Sequence, residues 1–246
     1  MTLALAPTAL ERLATGRQVV LVTGTKGRTT SAYLLAAALR TAGPVAHNDT
    51  GEIMADGAVA ALITQPDAGL AVLEVDELHL AAVAAATRPV VIMLLSLTRD
   101  PLDRGREVRT LALSVATALR AHPDAVLVAN ADDPLVVWAG DQARRAVWIS
   151  AGGRSSGDAS SCPRCGRRLR HGVDRQEWWC MCGLYRPTAD WVASGTTVTL
   201  GDDAVVLELD LAGGFDVAHA MAAVAGASVL GVEADRAAAA MKATVR

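Results

Sequence analysis

The stretch Gln18-Val19-Val20-Leu21-Val22-Thr23-Gly24-Thr25-Lys26-Gly27-Arg28-Thr29-Thr30, with the Ala/Leu pattern of Ser31–Thr41 behind it, decides how the chain is built. Residues 18–23 are apolar and largely β-branched, the mark of a buried strand. Glycines 24 and 27 interrupt that run, and apolar residues then recur at helical spacing. A strand feeding a glycine-rich turn that opens a helix makes an anion site, because the free N–H groups of the first helical turn and the positive end of the helix dipole converge on one spot. The candidate nucleotide-binding residues are Gly24, Thr25, Lys26, Gly27, Arg28, Thr29 and Thr30. In phosphate loops of the form GxxxxGK(S/T), the lysine meets the β- and γ-phosphates and the hydroxyl meets magnesium. Here the cation position is Arg28 and the spacing from Gly24 is shorter. On the motif alone, a phosphate loop and a structural glycine turn stand side by side.

Outward from this unit the pattern repeats. Leu70–Val75 reads as a strand, Asp76–Thr87 as a helix and Pro89–Leu95 as another buried strand. Arg104–Ala121 reads as a helix, Ala125–Ala129 as a strand ending in Asn130-Ala131-Asp132-Asp133-Pro134, and Ala146–Ser150 as the last strand of this half. Buried runs alternating with helices predict an α/β fold with a mostly parallel sheet. Trp191–Leu211 holds two β-rich runs around Gly201-Asp202-Asp203, a predicted hairpin. Helices follow at Val217–Leu230 and Ala234–Lys242.

The composition agrees. A chain of 246 residues has room for one α/β core and a small module. At 52% hydrophobic but 3% aromatic, it suits helices packed on a sheet better than a ring-filled sandwich. Met1–Gln18 reads as a short entry helix, since it lacks a basic leader and reaches Glu11 and Arg12 too soon for a signal peptide. The apolar runs Val90–Leu95 and Val217–Val232 are too short or too interrupted to span a bilayer, so a cytoplasmic protein without a transmembrane segment is expected. A net charge of −3 gives no field to hold a polyanion, which argues against nucleic acid as partner.

All four cysteines fall between positions 162 and 182, after the Gly/Ser-rich exit Ala151–Ser161. Without a secretory leader, that clustering points to metal rather than disulfides. Cys162-Pro163-Arg164-Cys165-Gly166 is a knuckle, and Cys180 and Cys182, two apart, share one face of an extended strand. A tetrahedral four-cysteine zinc site in a ribbon is the reading, against a redox pair or unpaired thiols. Arg167, Arg168, Arg170 and Arg175 with Trp178 and Trp179 read as a solvated hairpin with a packed ring. The expected organisation is residues 1–155 and 191–246 for one nucleotide-binding domain and 156–190 for the zinc-ribbon insert.

Several motifs in one order carry a resemblance. Thr23–Thr30 (TGTKGRTT) resembles the TGTNGKTT of the Mur ligase family. Asn48-Asp49-Thr50-Gly51 looks like its NRTG, and Leu73–Glu77 matches LEVDE. Arg99–Arg104 resembles RDQLDR, and Asn130–Pro134 matches NADDP. Within the family the chain resembles the MurT branch, Mur-ligase-like subunits of lipid II isoglutaminyl synthase.

The resemblance implies the Mur ligase central domain and ATP-dependent amide ligation on peptidoglycan precursors, with a lipid II-type substrate and a glutaminase subunit as partner. It implies ATP, Mg²⁺ and Zn²⁺ as cofactors, with Thr29 and Glu74 on magnesium. Asp216 and His219 stand where the family has two asparagines near the adenine. From the residues alone, Glu74 also reads as a solvated strand-end carboxylate and His219 as a helix-surface or core histidine. Asp76, Glu77, Asp100 and Asp103 read as capping acids that crowd the site with negative charge. Arg28 in place of lysine puts a planar guanidinium where a compact ammonium belongs. Full-length family members continue into a C-terminal domain, expected here to be encoded separately or missing. The alternative reading is a non-catalytic nucleotide-binding or partner-binding scaffold.

Overall fold

The structure, a computed structural model, describes residues 8–49, 55–98, 108–152, 161–173, 177–201, 203–207 and 217–244. Helix α1 (Ala9–Ala14) leads into strand β1 (Gln18–Thr23), the anchor of the sheet. There follow α2 (Arg28–Leu39), β2 (Val45–His47), α3 (Ala55–Thr64), β3 (Leu70–Glu74), α4 (Leu80–Thr87) and β4 (Val91–Leu94). The first half closes with α5 (Val108–Ala121), β5 (Val126–Asn130), α6 (Pro134–Gly140) and β6 (Arg145–Ser150). Two short strands, β7 (Arg170–His171) and β8 (Trp178–Trp179), belong to the cysteine segment. The chain then returns through β9 (Trp191–Ser194), β10 (Thr197–Leu200), β11 (Asp203–Val206), α7 (Val217–Val229) and α8 (Ala234–Thr244).

Among the described residues one sheet runs β11-β10-β9-β6-β5-β4-β1-β3-β2. From β2 to β9 every pairing is parallel, and only β9-β10-β11 is antiparallel. A parallel sheet covered on both faces needs strands apolar on both sides, and the two-residue period of a strand divides them cleanly. Val19 and Leu21 of β1, Leu73 of β3, Ile92 and Leu94 of β4 and Leu127 of β5 face a core closed by α1, α3, α4, α5 and α6. Val20 and Val22, Val72, Val91 and Met93, and Val128 face the other core, closed by α2, α7 and α8. The low aromatic content suits this packing: α7 is mostly Ala and Val, with Gly226 lying against Met93, so it can approach the sheet closely.

The α/β class and mostly parallel sheet are as expected, with differences in detail. The predicted hairpin is a three-stranded meander whose first strand, β9, pairs in parallel with β6. Ala146–Ser150, the last strand of the first half, lies between β5 and β9 and bridges the two parts of the sheet. The helix expected from Asp76 starts at Leu80, because Asp76 Oδ1 accepts from Leu78 N at 3.0 Å and holds a turn there. Strand β2 and helices α3 and α6 were not foreseen. Thr50 and Gly51, the segment Arg99–Arg104, Arg175 and Asp216 lie outside the described residues.

Candidate functional site

Helix α2 leaves β1 towards one face of the sheet, whereas α4 and α5, which follow the neighbouring strands β3 and β4, leave towards the other. Such divergence opens a crevice at the carboxyl ends of the strands, where ligands of open α/β sheets bind. The loop 24–27 lies at its lip. Thr25 N donates to Ser96 O at 2.9 Å, Thr98 N donates to Thr25 Oγ1 at 2.8 Å, and Lys26 N donates to Ser96 Oγ at 3.2 Å. These bonds fasten the loop to the segment after β4. Gly24 has φ +131, and a Cβ there would come 2.9 Å from Ser96 N, so only glycine allows the approach.

Gly27 caps α2 in the left-handed region with no side-chain capping bond, and no acidic residue occupies the first turn. The helix therefore presents its N-terminal amides and dipole uncapped. Thr29 and Lys26 are exposed, so the loop is open to solvent. His219, on α7, stands beside it: a Cβ on Gly27 would fall 1.9 Å from the imidazole Nε2. His219 is half-buried on its helix, with its imidazole against the loop. Ser31 Oγ, donating to His219 O at 3.3 Å, ties the two helices there.

Glu74 sits at the end of β3, in register with Val22 of β1, and is 4% exposed. Asn48 fixes its backbone in both directions, donating from Nδ2 to Glu74 O (2.9 Å) and accepting from Glu74 N at Oδ1 (2.8 Å). Thr29 Oγ1 donates to Glu74 Oε1 at 2.9 Å, so the two residues named for magnesium do meet. Arg28 does not reach out over the loop. Its Nη1 pairs with Glu77 Oε2 at 3.0 Å, its Nε lies 3.5 Å from Glu74 Oε1, and Asp76 Oδ2 is 3.9 Å from Nη1. Burial pushes the Glu77 carboxyl above its ordinary range, with its own backbone amide and the Arg28 guanidinium pulling it back. Glu77 Oε1 is buried and has no hydrogen-bond partner among the described residues.

The sequence reading gave Glu77 only a capping and charge-crowding role and missed this contact, because spacing along one strand end does not reveal that Glu77 turns inward with Glu74 while Asp76 stays more exposed. Magnesium takes oxygens at about 2.1 Å in a near-octahedral shell. The Thr29 and Glu74 oxygens, 2.9 Å apart, have the spacing of neighbouring ligands in such a shell, but Arg28 Nε stands 3.5 Å from Glu74 Oε1 and its charge opposes a dication there. The NADDP stretch is a pin. Asp133 caps α6 by accepting from Leu135 N at 2.9 Å and also accepts from Leu97 N at 3.0 Å.

The second cluster is the cysteine segment. Cys162, Cys165, Cys180 and Cys182 bring their sulfurs within 4.8 Å of one another. The pair 162/182 is 3.6 Å apart and the pair 165/180 is 3.4 Å apart. A tetrahedron of zinc–sulfur bonds of about 2.3 Å places sulfurs roughly 3.8 Å apart, whereas a disulfide needs about 2.05 Å. Four thiols at these separations fit zinc. Two matching turns hold them: Gly166 N donates to Cys162 O (2.8 Å) and Gly183 N to Cys180 O (3.0 Å). Burial pushes the Cys162 thiol up to about 12, while the Leu184 amide holds Cys182 down to about 7.

Trp178 is the packed ring, 3% exposed and donating from Nε1 to Ala131 O at 3.3 Å, while Trp179 faces outward. Arg186 pairs with Asp132 Oδ1 through both Nε (3.1 Å) and Nη2 (3.0 Å). Arg164 pairs with Asp141, and Arg109 donates to Pro163 O.

Comparison with known proteins places this geometry. Residues 22–227 match the Mur ligase middle domain. The MurT subunit of lipid II isoglutaminyl synthase (glutamine-hydrolyzing) from Staphylococcus aureus is 27% identical over 226 residues, covering 83% of this chain and 51% of that protein. The chain thus spans about half the length of this curated relative. Among solved structures, a pseudomurein peptide ligase type C from Methanothermus fervidus superposes with a TM-score of 0.73 at 21% identity, over 92% of this chain and 49% of that one. MurF ligase from Thermotoga maritima in complex with ADP superposes with a TM-score of 0.63 at 18% identity, over 96% and 51%. With the match covering loop, sheet and cysteine segment alike, the chain belongs to the Mur ligase family through its middle domain.

Proposed function

We propose that this chain is the nucleotide-binding part of an ATP-dependent carbon–nitrogen ligase of the MurT type, acting in peptidoglycan precursor synthesis. The observation that carries the reading is the uncapped N-terminus of α2, opened by Gly27 at the carboxyl end of β1 and left accessible to solvent. Backbone amides and a helix dipole at such a place receive a polyphosphate, and the T. maritima MurF of the same fold was solved with ADP. Gly24, Thr25, Lys26, Gly27, Thr29 and Thr30 would line the phosphates, with His219 beside them. Asp216 belongs to the same proposed set. The acceptor would be the glutamate of a lipid II-type precursor and the nitrogen would come as ammonia from a glutaminase subunit, as the name of the S. aureus relative suggests. Zinc in the four-cysteine cluster would be structural, with residues 156–190 as its module.

A second reading, a nucleotide-binding scaffold without turnover, is favoured by one specific contact: the Arg28 guanidinium turns down to Glu77 and Glu74 instead of up to the loop. Calorimetric titration with ATP tests the common part of both. Saturable binding is expected; its absence under all metal conditions would refute nucleotide binding. Glutamine-dependent amidation of lipid II by the chain with its glutaminase separates the two, since turnover supports the ligase and binding without turnover supports the scaffold.

A further inference from the structure

We propose that Arg28 is a tethered counter-cation that occupies the place of a divalent ion at Glu74 and Glu77, so that this loop excludes magnesium while its guanidinium is docked. The inference deepens the nucleotide-binding reading and rests on it for its consequence, though not for its direct test. Three carboxylates, on Glu74, Asp76 and Glu77, gather within 4 Å of the guanidinium atoms named above. Two of them are 4% exposed, so leaving them without a cation would be unfavourable. The cation present is carried by the chain itself at the first residue of α2.

A planar fork suits this seat in a way an ammonium does not: Nη1 reaches Glu77 while Nε faces Glu74. Thr29 Oγ1 spends its proton on the same Glu74 oxygen that Nε faces. That oxygen faces the guanidinium from 3.5 Å, so a dication approaching it meets the positive charge of Arg28. The buried Oε1 of Glu77, unpartnered among the described residues, shows that the single guanidinium does not saturate the cluster. Metal entry at Glu74 is therefore opposed by the charge of docked Arg28 and requires it to leave. Arg28 acts here as a positioning residue seated on the acids.

The test compares wild type with Arg28→Gln and Arg28→Lys, first without nucleotide. Titration of Mn²⁺ followed by its electron paramagnetic resonance signal is expected to show at least about tenfold tighter binding in Arg28→Gln, with Arg28→Lys between it and wild type. Cooperative melting confirms that each variant is folded. Arg28→Lys keeps the charge that the buried acids need, so it serves if the glutamine variant does not fold. Equal Mn²⁺ affinity in wild type and the folded variants overturns the proposal.

A second arm measures ATP affinity in Mg²⁺ and in chelator. Wild type is expected to differ by less than about threefold between the two, and Arg28→Lys by about tenfold or more. A wild type as dependent on Mg²⁺ as the lysine variant overturns the proposal. If no protein binds ATP in either condition, the nucleotide reading falls, and the nucleotide-free Mn²⁺ comparison still decides the role of Arg28.

Discussion

Gly27 carries two demands at once: a backbone at φ +80, and room for the His219 imidazole where any side chain would begin. Gly27→Ala adds left-handed strain of about 1 kcal/mol and drives a methyl into His219, so the first turn of α2 must shift. ATP affinity is expected to fall by at least about tenfold with the far-ultraviolet dichroism unchanged. Adding His219→Ala should relieve the clash but not the backbone strain, leaving affinity below wild type; a Gly27→Ala protein that titrates like the parent would remove the loop from the site. Asp133 is a second residue with two duties, capping α6 and accepting from Leu97 N on the segment that holds Thr25. Asp133→Ala removes a helix cap and strands a buried amide, about 2–3 kcal/mol together. Asp133→Asn, which keeps an acceptor oxygen, should lose less than half of that in urea denaturation.

At the scale of elements, what the sequence made legible followed from burial. Strands β1, β3, β4 and β5 are covered on both faces and stand out as uninterrupted apolar runs, and Glu74 could be placed beside the loop because a parallel pair brings strand ends together. Strand β2 spans Val45–His47, too few residues to show a period, and α3 (Ala55–Thr64) holds Gly57 where helices rarely carry one. Helix α6 could have been read, since Asp133 followed by Pro134 is a helix-start signature. The direction taken by Arg28 was not legible, because it depends on which of the three acids are buried, and Glu74 and Glu77 both are. That the four cysteines would come together was legible from their spacing, and the structure brings their sulfurs within 4.8 Å of one another beside two-residue strands. Zinc removal by a strong chelator should expose the stretch from Ser161 to Arg186 to protease while the sheet signal persists. Because binding requires thiolates, metal retention should fall as pH drops; Cys182, held to about 7, gives up its proton readily, whereas Cys162, raised to about 12, gives it up only to the metal. One zinc per chain is the expected stoichiometry by elemental analysis, and a chain equally protease-resistant with and without metal would show that the ribbon stands unaided.

Across the whole molecule, two cores lie on opposite faces of one sheet, and the cysteine segment forms a third against α6 through Val137, Leu169, Trp178 and Leu184. No helix among the described residues is long and apolar enough to cross a membrane. Besides that third apolar cluster, Asp132 joins the cysteine segment to the sheet: it accepts from Arg186 on one side, and from Ser150 Oγ (2.9 Å) and Ala151 N (3.1 Å) at the end of β6 on the other. Asp132 and Arg186 are both poorly exposed, 8% and 16%, so removing either leaves the other charge without its partner in a place water reaches poorly. Asp132→Ala should therefore destabilise by roughly 3 kcal/mol and make the cysteine segment melt separately from the sheet, visible as two calorimetric transitions in place of one. Arg186→Met removes the charge while keeping an apolar stem, and should be milder. The coupling between the two sites then follows from the double variant. If Asp132→Ala costs as much in the Arg186→Met background as in wild type, the ion pair does not hold the two bodies together, and the ribbon is attached through Trp178 and its apolar neighbours instead.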